Sequence, residues 1–163
     1  MRGKEMASFN VEDCATSRAP GRLLRRVDRT MSAAVEARFG DADLSYMQWV
    51  ALKVVADGLV GSAGELAREL GITTGATTRM VDVLELRGLM ARDRTGGDRR
   101  VVRLLLTPAG RDTVGRLLPC VVNAWNEALA GFEQAEAEQL VSLLARLLGA
   151  VERLSTPMTE VAA

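Results

Sequence analysis

Apolar residues recur every three to four positions along most of this chain, which is the period of an amphipathic α-helix. The first such run predicts a helix with Pro20 at its first position and its end at Gly40. A second helix is predicted to begin at Ser45, because Ser45 and Gln48 have the spacing of a capping box, and to end at Asp57. The second helix is interpreted as structural support.

The segment 62–107 contains several shorter elements. Ser62 begins a short helix, again with a capping-box partner three residues later, and Gly71 ends it at a position that suits a left-handed backbone. Thr73 caps the next helix, which ends at Gly88. Only a three-residue turn separates the two helices, as in a helix-turn-helix motif.

Two short strands are predicted after this helix pair. Residues 89–92 and 101–106 have the composition of strands, and the residues between them, 95–98, include two glycines and form a turn. Three arginines crowd the tip of this hairpin: Arg94, Arg99 and Arg100. A helix pair followed by a basic hairpin is the arrangement of a winged helix-turn-helix, which places one helix in a DNA groove.

The second helix of the pair is the candidate reading helix. Its small, hydrogen-bonding outer side chains suit a close approach to a groove floor, and Arg79 suits a guanine or a phosphate. The hairpin arginines suit the narrow minor groove, where the potential is most negative. The alternatives are an ordinary solvent-exposed helix and a solvated hairpin in which Asp98 pairs with a neighbouring arginine. The predicted helix contacts with DNA are Thr73, Thr74, Gly75, Ala76, Thr78 and Arg79.

Two long helices are predicted after the hairpin. The first begins at Thr107-Pro108, with an interruption and a bend at Pro119, and the second follows Gly131. An apolar face lines the last helix at spacings of four and three: Leu140, Leu144, Leu147, Val151 and Leu154. This face is wider than a small monomer can cover, which favours a homodimer over packing within the chain.

The predicted organisation is therefore one compact domain with a flexible tail over residues 1–19. Residues 20–40 and 108–155 are predicted to be dimerisation helices, and residues 41–107 a winged helix-turn-helix. The fold class is mainly α with a small β-hairpin wing.

Composition fits this mainly helical fold. Of 163 residues, 48% are hydrophobic but only 4% are aromatic, so an aliphatic helical core is expected. The formal net charge is zero, so the electropositive surface is local to the hairpin. Histidine is absent, the two cysteines lack CxxC spacing, and no nucleophile–base pair is present, so neither an enzyme, a metal site nor a cofactor is expected. No signal-like or membrane-spanning apolar run occurs, which predicts a cytoplasmic protein without membrane contact.

Two consecutive motifs carry a family resemblance, GELARELGITTGATTRMVDVLELRGLMARD and DRRVVRLLLTPAGR. They resemble the MarR (multiple-antibiotic-resistance regulator) family of bacterial winged-helix repressors, and the similarity extends from about Gly21 to Leu154. The resemblance implies an obligate homodimer that binds a pseudo-palindromic site in double-stranded DNA, with half-sites about one helical turn apart. It also implies that a small aromatic or anionic compound relieves repression by binding near the junction of the dimerisation helices and the reading head.

Four side chains are candidates for such an effector site. Arg22 and Arg26 suit an anionic group, and Tyr46 and Trp49 suit stacking on an aromatic ring. Surface charge and ordinary packing are the alternative roles of these residues.

The chain departs from the family pattern at several positions. Thr77 stands where the family usually has a branched aliphatic residue. Relatives that sense peroxide have a reactive cysteine near the position of Gly21, whereas Cys14 lies seven residues earlier and Cys120 lies in a predicted helix. This offset argues against redox sensing, which through Cys14 is an alternative to ligand sensing. A winged helix used for protein–protein contact without DNA binding is another, against which the arginine-rich hairpin argues.

Overall fold

The structure, a computed structural model, describes residues 10–15, 19–93 and 102–155. It is mainly helical with a small antiparallel hairpin, as the sequence predicted. By its contacts the chain divides into two compact units, residues 1–124 and 125–163. The elements in chain order are α1 (Val11–Ala15), α2 (Pro20–Glu36), a 3₁₀ turn (Gly40–Ala42), α3 (Tyr46–Ala56), α4 (Ala63–Leu70), α5 (Thr74–Leu86), β1 (Met90–Asp93), β2 (Arg103–Leu106), α6 (Pro108–Ala128) and α7 (Gln134–Ser155).

Helix α1 lies within the segment that was predicted to be a flexible tail. The backbone N–H of Asn10 donates to the Asp13 carboxylate at 3.1 Å, and the N–H of Asp13 donates to Asn10 Oδ1 at 3.0 Å. These two bonds form a reciprocal cap. A helix of five residues is too short to show a hydrophobic period, which is why the sequence pattern did not indicate it.

Helix α2 begins at Pro20 as predicted but ends at Glu36, before the predicted end at Gly40. Gly40 has a φ of +56° and begins the 3₁₀ turn instead. The C-terminal half of α2 buries Met31 and Val35 in the core. Its N-terminal half leaves three apolar side chains exposed: Leu23, Leu24 and Val27.

The core of the first unit is mainly aliphatic and includes most of α3. The predicted capping box of this helix is confirmed, because Ser45 Oγ accepts from Gln48 N at 3.1 Å and Gln48 Oε1 accepts from Ser45 N at 3.0 Å. The buried residues of α3 are Trp49, Ala51, Leu52, Val54 and Val55. They belong to one cluster with buried side chains of α2, α4, α5, α6 and both strands.

The start of α6 closes against the end of α5 through Thr107. Thr107 Oγ1 donates to Gly88 O at 2.6 Å and accepts from Gly110 N at 3.0 Å, and Thr107 N donates to Leu89 O at 3.3 Å. Gly110 lies so close to Leu89 that a Cβ on it would be 2.0 Å from the Leu89 carbonyl oxygen. The capping role of Thr107 before Pro108 is thus confirmed, with a second bond that joins two helices.

Helix α6 continues through Pro119 without a break, so the predicted interruption at this residue is wrong. Proline removes one N–H, the donor to the carbonyl of Gly115, whereas the flanking turns keep their bonds. Packing supplies the physical reason for continuity, since one buried face extends on both sides of Pro119: Gly110, Val114, Leu117, Val121 and Ala124.

The second unit consists of the end of α6 and helix α7. The apolar face that the sequence predicted on α7 is exposed in this single chain, from Leu140 at 36% to Leu154 at 84%. Leu118, Val122 and Trp125 of α6 are exposed as well. Among the described helices, none has the length and apolar character that crossing a bilayer requires.

The contact at Gly110 is testable by a pair of substitutions in α6. Gly110→Ala is expected to lower the free energy of unfolding by about 3 kcal/mol, because the added methyl meets a backbone carbonyl that no rotamer change can move. Gly115→Ala, where a Cβ has no neighbour within 4 Å, should instead stabilise by about 0.5–1 kcal/mol. Chemical denaturation at one protein concentration measures both. Equal effects would contradict the close contact.

Candidate nucleic-acid interface

Helices α4 and α5 form the helix-turn-helix that the sequence predicted. Gly71 has a φ of +64°, and the end of α4 is closed by bonds from Gly71 N to Arg68 O at 3.2 Å and from Ile72 N to Ala67 O at 3.1 Å. This pair of bonds is a Schellman motif, which reverses the chain direction in very few residues. Thr73 then caps α5, with its Oγ1 accepting from Ala76 N at 3.2 Å.

The cap of α4 differs from the prediction in one bond. Ser62 Oγ accepts from Glu65 N at 3.3 Å as expected, but Glu65 Oε2 accepts from Gly61 N at 2.7 Å. The Gly61 N–H, followed by the bond with Ser62, lowers the pKa of Glu65 below its usual value. The resulting stability is present above the pKa of the unfolded chain and is lost as the pH falls through the lower folded pKa.

The outer face of α5 is exposed over its first turns, as predicted. Thr78 Oγ1 donates to Thr74 O at 2.9 Å, so this hydroxyl keeps its lone pairs for another donor. Nothing lies within 4 Å of a Cβ placed on Gly75, so the helix surface there is open. The first N–H groups of a helix lack internal acceptors and mark its positive end, which favours a nearby anion. The exposed residues are Thr73, Thr74, Gly75, Ala76, Thr78 and Arg79.

The inner face of α5 is fixed by buried residues that include the unusual Thr77. Its side chain is fully buried, and its Oγ1 donates to Thr73 O at 3.1 Å, so the hydroxyl has a partner. Val81 and Leu84 are buried on the same face. The departure from a branched aliphatic residue therefore leaves no unpaired donor beneath the reading helix.

The hairpin beside α5 pairs Met90 with Leu106 at its base and Asp93 with Arg103 at the end of the described ladder. On its other edge, Leu104 N donates to Gly61 O at 2.9 Å, and Ser62 forms a bridge with Arg103. The sequence pattern did not reveal this third extended segment. Its two residues, Gly61 and Ser62, are too few to show the alternation of apolar and polar residues that indicates a strand. Three predicted contact residues lie outside the described residues: Arg94, Arg99 and Arg100.

Arg92 of β1 pairs with two carboxylates of α5, a contact that the sequence analysis did not predict. Its Nη2 donates to Asp82 Oδ1 at 2.7 Å, and its Nη1 donates to Glu85 Oε2. Its backbone N–H also donates to Glu85 Oε1, at 3.2 Å. The spacing of Asp82 and Glu85 on one face of α5 is the signal that could have indicated this pairing.

A second arginine, Arg87, fixes the far end of α5. Its Nη2 donates to Ala42 O at 2.7 Å, and its Nη1 donates to Asp43 O. Asp43 has a φ of +48° and ends the 3₁₀ turn, so Arg87 joins the end of α5 to a tight turn. Sequence reasoning missed this contact because it joins residues more than 40 positions apart.

The four effector candidates are divided between two places in the fold. Tyr46 and Trp49 stack with ring centroids 5.9 Å apart, and Tyr46 N donates to Glu36 Oε1 at 2.7 Å, at the C-terminus of α2. At 1.5 Å per residue, Arg26 and Arg22 lie roughly 15 and 21 Å from Glu36 along the helix axis. The two pairs therefore lie at different places along α2 within a protomer.

The structure describes the side chain of one of the two cysteines, Cys120. Cys14 lies in α1, and its side chain is outside the described part of the structure. Cys120 is a free, half-buried thiol in α6. In the described residues, no three His, Cys, Asp or Glu side chains are grouped as metal ligands would be.

A comparison with known protein families shows which family model matches this part of the chain. Residues 44–102 match the model of the MarR family. The matched range includes α3, the helix pair, β1 and the hairpin tip, but ends before β2.

Solved structures match over more of the chain. A probable transcriptional regulator from Pseudomonas aeruginosa is 29% identical with a TM-score of 0.68, covering 78% of this chain and 95% of its own. Bordetella bronchiseptica BpsR, whose DNA binding is regulated by 6-hydroxynicotinic acid, is 28% identical with a TM-score of 0.69, covering 78% and 96%. The transcriptional repressor CouR, bound to a 23-mer DNA duplex, is 26% identical with a TM-score of 0.73, covering 87% and 99%.

The satisfied hydroxyl of Thr77 gives a test of how α5 is fixed. Thr77→Val is expected to leave stability unchanged or to raise it by up to about 1 kcal/mol, because Thr73 O keeps its bond from the Thr77 backbone N–H. Thr77→Ala should cost about 1–2 kcal/mol, because it leaves a cavity. Denaturant titration of both variants measures the difference. A larger loss in the valine variant than in the alanine variant would mean that the hydroxyl itself is needed.

Proposed function

This chain belongs to the MarR family of winged-helix transcriptional regulators, and from that premise we propose that it is a homodimeric repressor of specific double-stranded DNA sites. We further propose that a small aromatic or anionic compound releases it from DNA. The observation that carries the proposal is the outer face of α5. This face combines an uncovered helix N-terminus with small side chains beside a two-stranded hairpin.

Sequence reading is assigned to the first two turns of α5. Gly75 and Ala76 allow the backbone to approach a groove floor, and Thr74, Thr78 and Arg79 supply donors and acceptors around them. The positive end of the helix, capped by Thr73, favours a backbone phosphate. The DNA complex of CouR, a protein with the same fold, supports this assignment.

Dimerisation is assigned to the exposed apolar faces of α2, α6 and α7. Leucines, valines and a tryptophan at helical spacing are left in contact with water in one copy of the chain. Exposed apolar side chains at helical spacing on each of these helices are typical of a protein interface. Two copies would place two reading helices on a pseudo-palindromic site, as two-fold symmetry requires.

Release from DNA by an effector is assigned to the mode of the family. In that mode a small molecule changes the position of the helix-turn-helix relative to the dimerisation helices. The regulation of BpsR by 6-hydroxynicotinic acid supports an aromatic acid as the class of compound. Within one protomer such a ligand would use either the Arg22–Arg26 pair or the Tyr46–Trp49 stack. The Nε1 of Trp49 is buried without an acceptor among the described residues, so this donor is available to a ligand that reaches it.

Selection of bound sequences from random duplexes tests the function directly. The expected result is a recurring pseudo-palindrome, and repeating the selection with a panel of aromatic acids should reduce recovery for one of them. Recovery of duplexes without any shared sequence would contradict specific binding.

A charge placed on α5 tests where DNA binds. Thr74→Glu is expected to preserve folding, since an acidic residue in the first turn suits the helix dipole, but to weaken binding of the selected duplex at least about tenfold through phosphate repulsion. Thr74→Gln has nearly the same shape as Thr74→Glu without the charge, so it should bind the selected duplex at least about tenfold more tightly than Thr74→Glu does. Fluorescence anisotropy at one salt concentration measures the affinity of each variant for the selected duplex. Equal affinities of the Glu and Gln variants would place DNA elsewhere.

Substitutions on two faces of α7 test the dimer. Leu144→Glu combined with Leu147→Glu is expected to give monomers at micromolar concentration, because charges would replace apolar contacts at the interface. Ser142→Glu lies on the opposite, polar face of the same helix and should remain dimeric. Sedimentation equilibrium distinguishes the states. A wild-type protein that sediments as a folded monomer would exclude the proposed interface.

A further inference from the structure

The ion pairs of Arg92 join the two parts of the proposed DNA interface. Arg92 lies in β1 of the hairpin, whereas Asp82 and Glu85 lie on α5, one turn apart on the same face. Three hydrogen bonds connect them, two from the guanidinium and one from the Arg92 backbone. We call these three residues the Arg92 cluster.

An arginine suits this position for geometric reasons. Its planar guanidinium fork donates in two directions at once and so binds two carboxylates in a fixed geometry. The ammonium of a lysine is a point charge that does not fix this geometry. The Arg92 side chain is only 18% exposed, and the Glu85 side chain is 39% exposed. Burial opposes the charge of Arg92, but the bonds to Asp82 and Glu85 outweigh it and raise its pKa. Arg92 therefore remains charged and paired at any physiological pH.

We propose that the Arg92 cluster positions the hairpin relative to α5, so that both can contact one DNA duplex at the same time. This inference rests on the proposed DNA-binding function and adds the residues that set the geometry of its site. When two contact surfaces form one rigid body, DNA binding costs less conformational entropy. The second surface is already in place when the first makes contact. Arg92, Asp82 and Glu85 are thus positioning residues, and their guanidinium and carboxylates are occupied by one another.

An explanation from charge alone predicts the opposite effect on DNA binding when Asp82 or Glu85 is removed. Asp82 and Glu85 place negative charge on the helix that faces phosphates, so removing either one should tighten DNA binding if only electrostatics mattered. If the cluster positions the hairpin, removing Glu85 should weaken binding to the selected site although the protein becomes more positive. The sign of the change therefore separates the two explanations.

Three variants test the proposal. Arg92→Lys keeps the charge but loses the fork, Glu85→Ala removes one carboxylate from the cluster, and Glu69→Ala removes one exposed carboxylate from α4 outside the cluster. The quantity measured is the ratio of affinity for the selected duplex to affinity for a scrambled duplex at fixed salt. Thermal unfolding of each variant verifies that it is folded.

We expect this ratio to fall about tenfold in Arg92→Lys and in Glu85→Ala, as the loss of one or two charged hydrogen bonds predicts. The scrambled duplex should bind Glu85→Ala as tightly as it binds wild type or more tightly. Glu69→Ala should keep the wild-type ratio. An unchanged ratio in folded Arg92→Lys and Glu85→Ala would overturn the positioning role.

Hydrogen exchange separates failure of the inference from failure of the proposed function. The Arg92 amide should exchange at least about tenfold faster in Glu85→Ala than in wild type, since Glu85 accepts its hydrogen. Wild-type protein that selects no duplex would overturn the function, and with it the role of the cluster in DNA binding. Selective binding by wild type combined with unchanged amide exchange in Glu85→Ala would overturn the cluster alone.

Discussion

The close approach of two backbones, at Gly110 and Leu89, is the constraint on which the reading head depends. Leu89 lies between the end of α5 and β1, and Thr107 lies between β2 and α6. Because Thr107 bonds to both Gly88 and Gly110, one residue joins the end of α5, the base of the hairpin and the start of α6. Any side chain at residue 110 would displace the Leu89 carbonyl. The short sequence from Thr107 to Gly110 therefore keeps the end of α5, the base of the hairpin and the start of α6 close together.

The sequence was sufficient for most of the helix caps, which depend on residues within four positions of one another. The caps at Ser45, Thr73 and Thr107 and the left-handed Gly71 were all predictable, because each requires a particular residue type beside a helix end. Periodicity likewise indicated which face of α5 is buried. These local rules were enough to predict a mainly helical fold with a small hairpin.

Some local bonds, and the contacts between elements, were not predictable in the same way. Nothing in the spacing of Glu65 shows that its carboxylate would take the N–H of Gly61 in place of that of Ser62. The pairing of Arg92 with α5 requires the hairpin to fold back along the helix, which is a tertiary event. Pro119 shows the reverse case, since tertiary packing on both sides of the residue overrides a strong local signal for a helix break.

The distribution of charge limits how such a reading head can bind. The first two turns of α5 present only one cation, Arg79, and Arg92 is neutralised by its two carboxylates. A helix of small neutral side chains offers shape and hydrogen bonds but little attraction to phosphate. In the proposed mode of DNA binding, electrostatic affinity is assigned mainly to the arginines of the hairpin, and it is useful only if the hairpin contacts the duplex together with α5. Under that proposal the geometry between these two elements matters more in this chain than in a protein whose DNA-contacting helix is itself strongly basic.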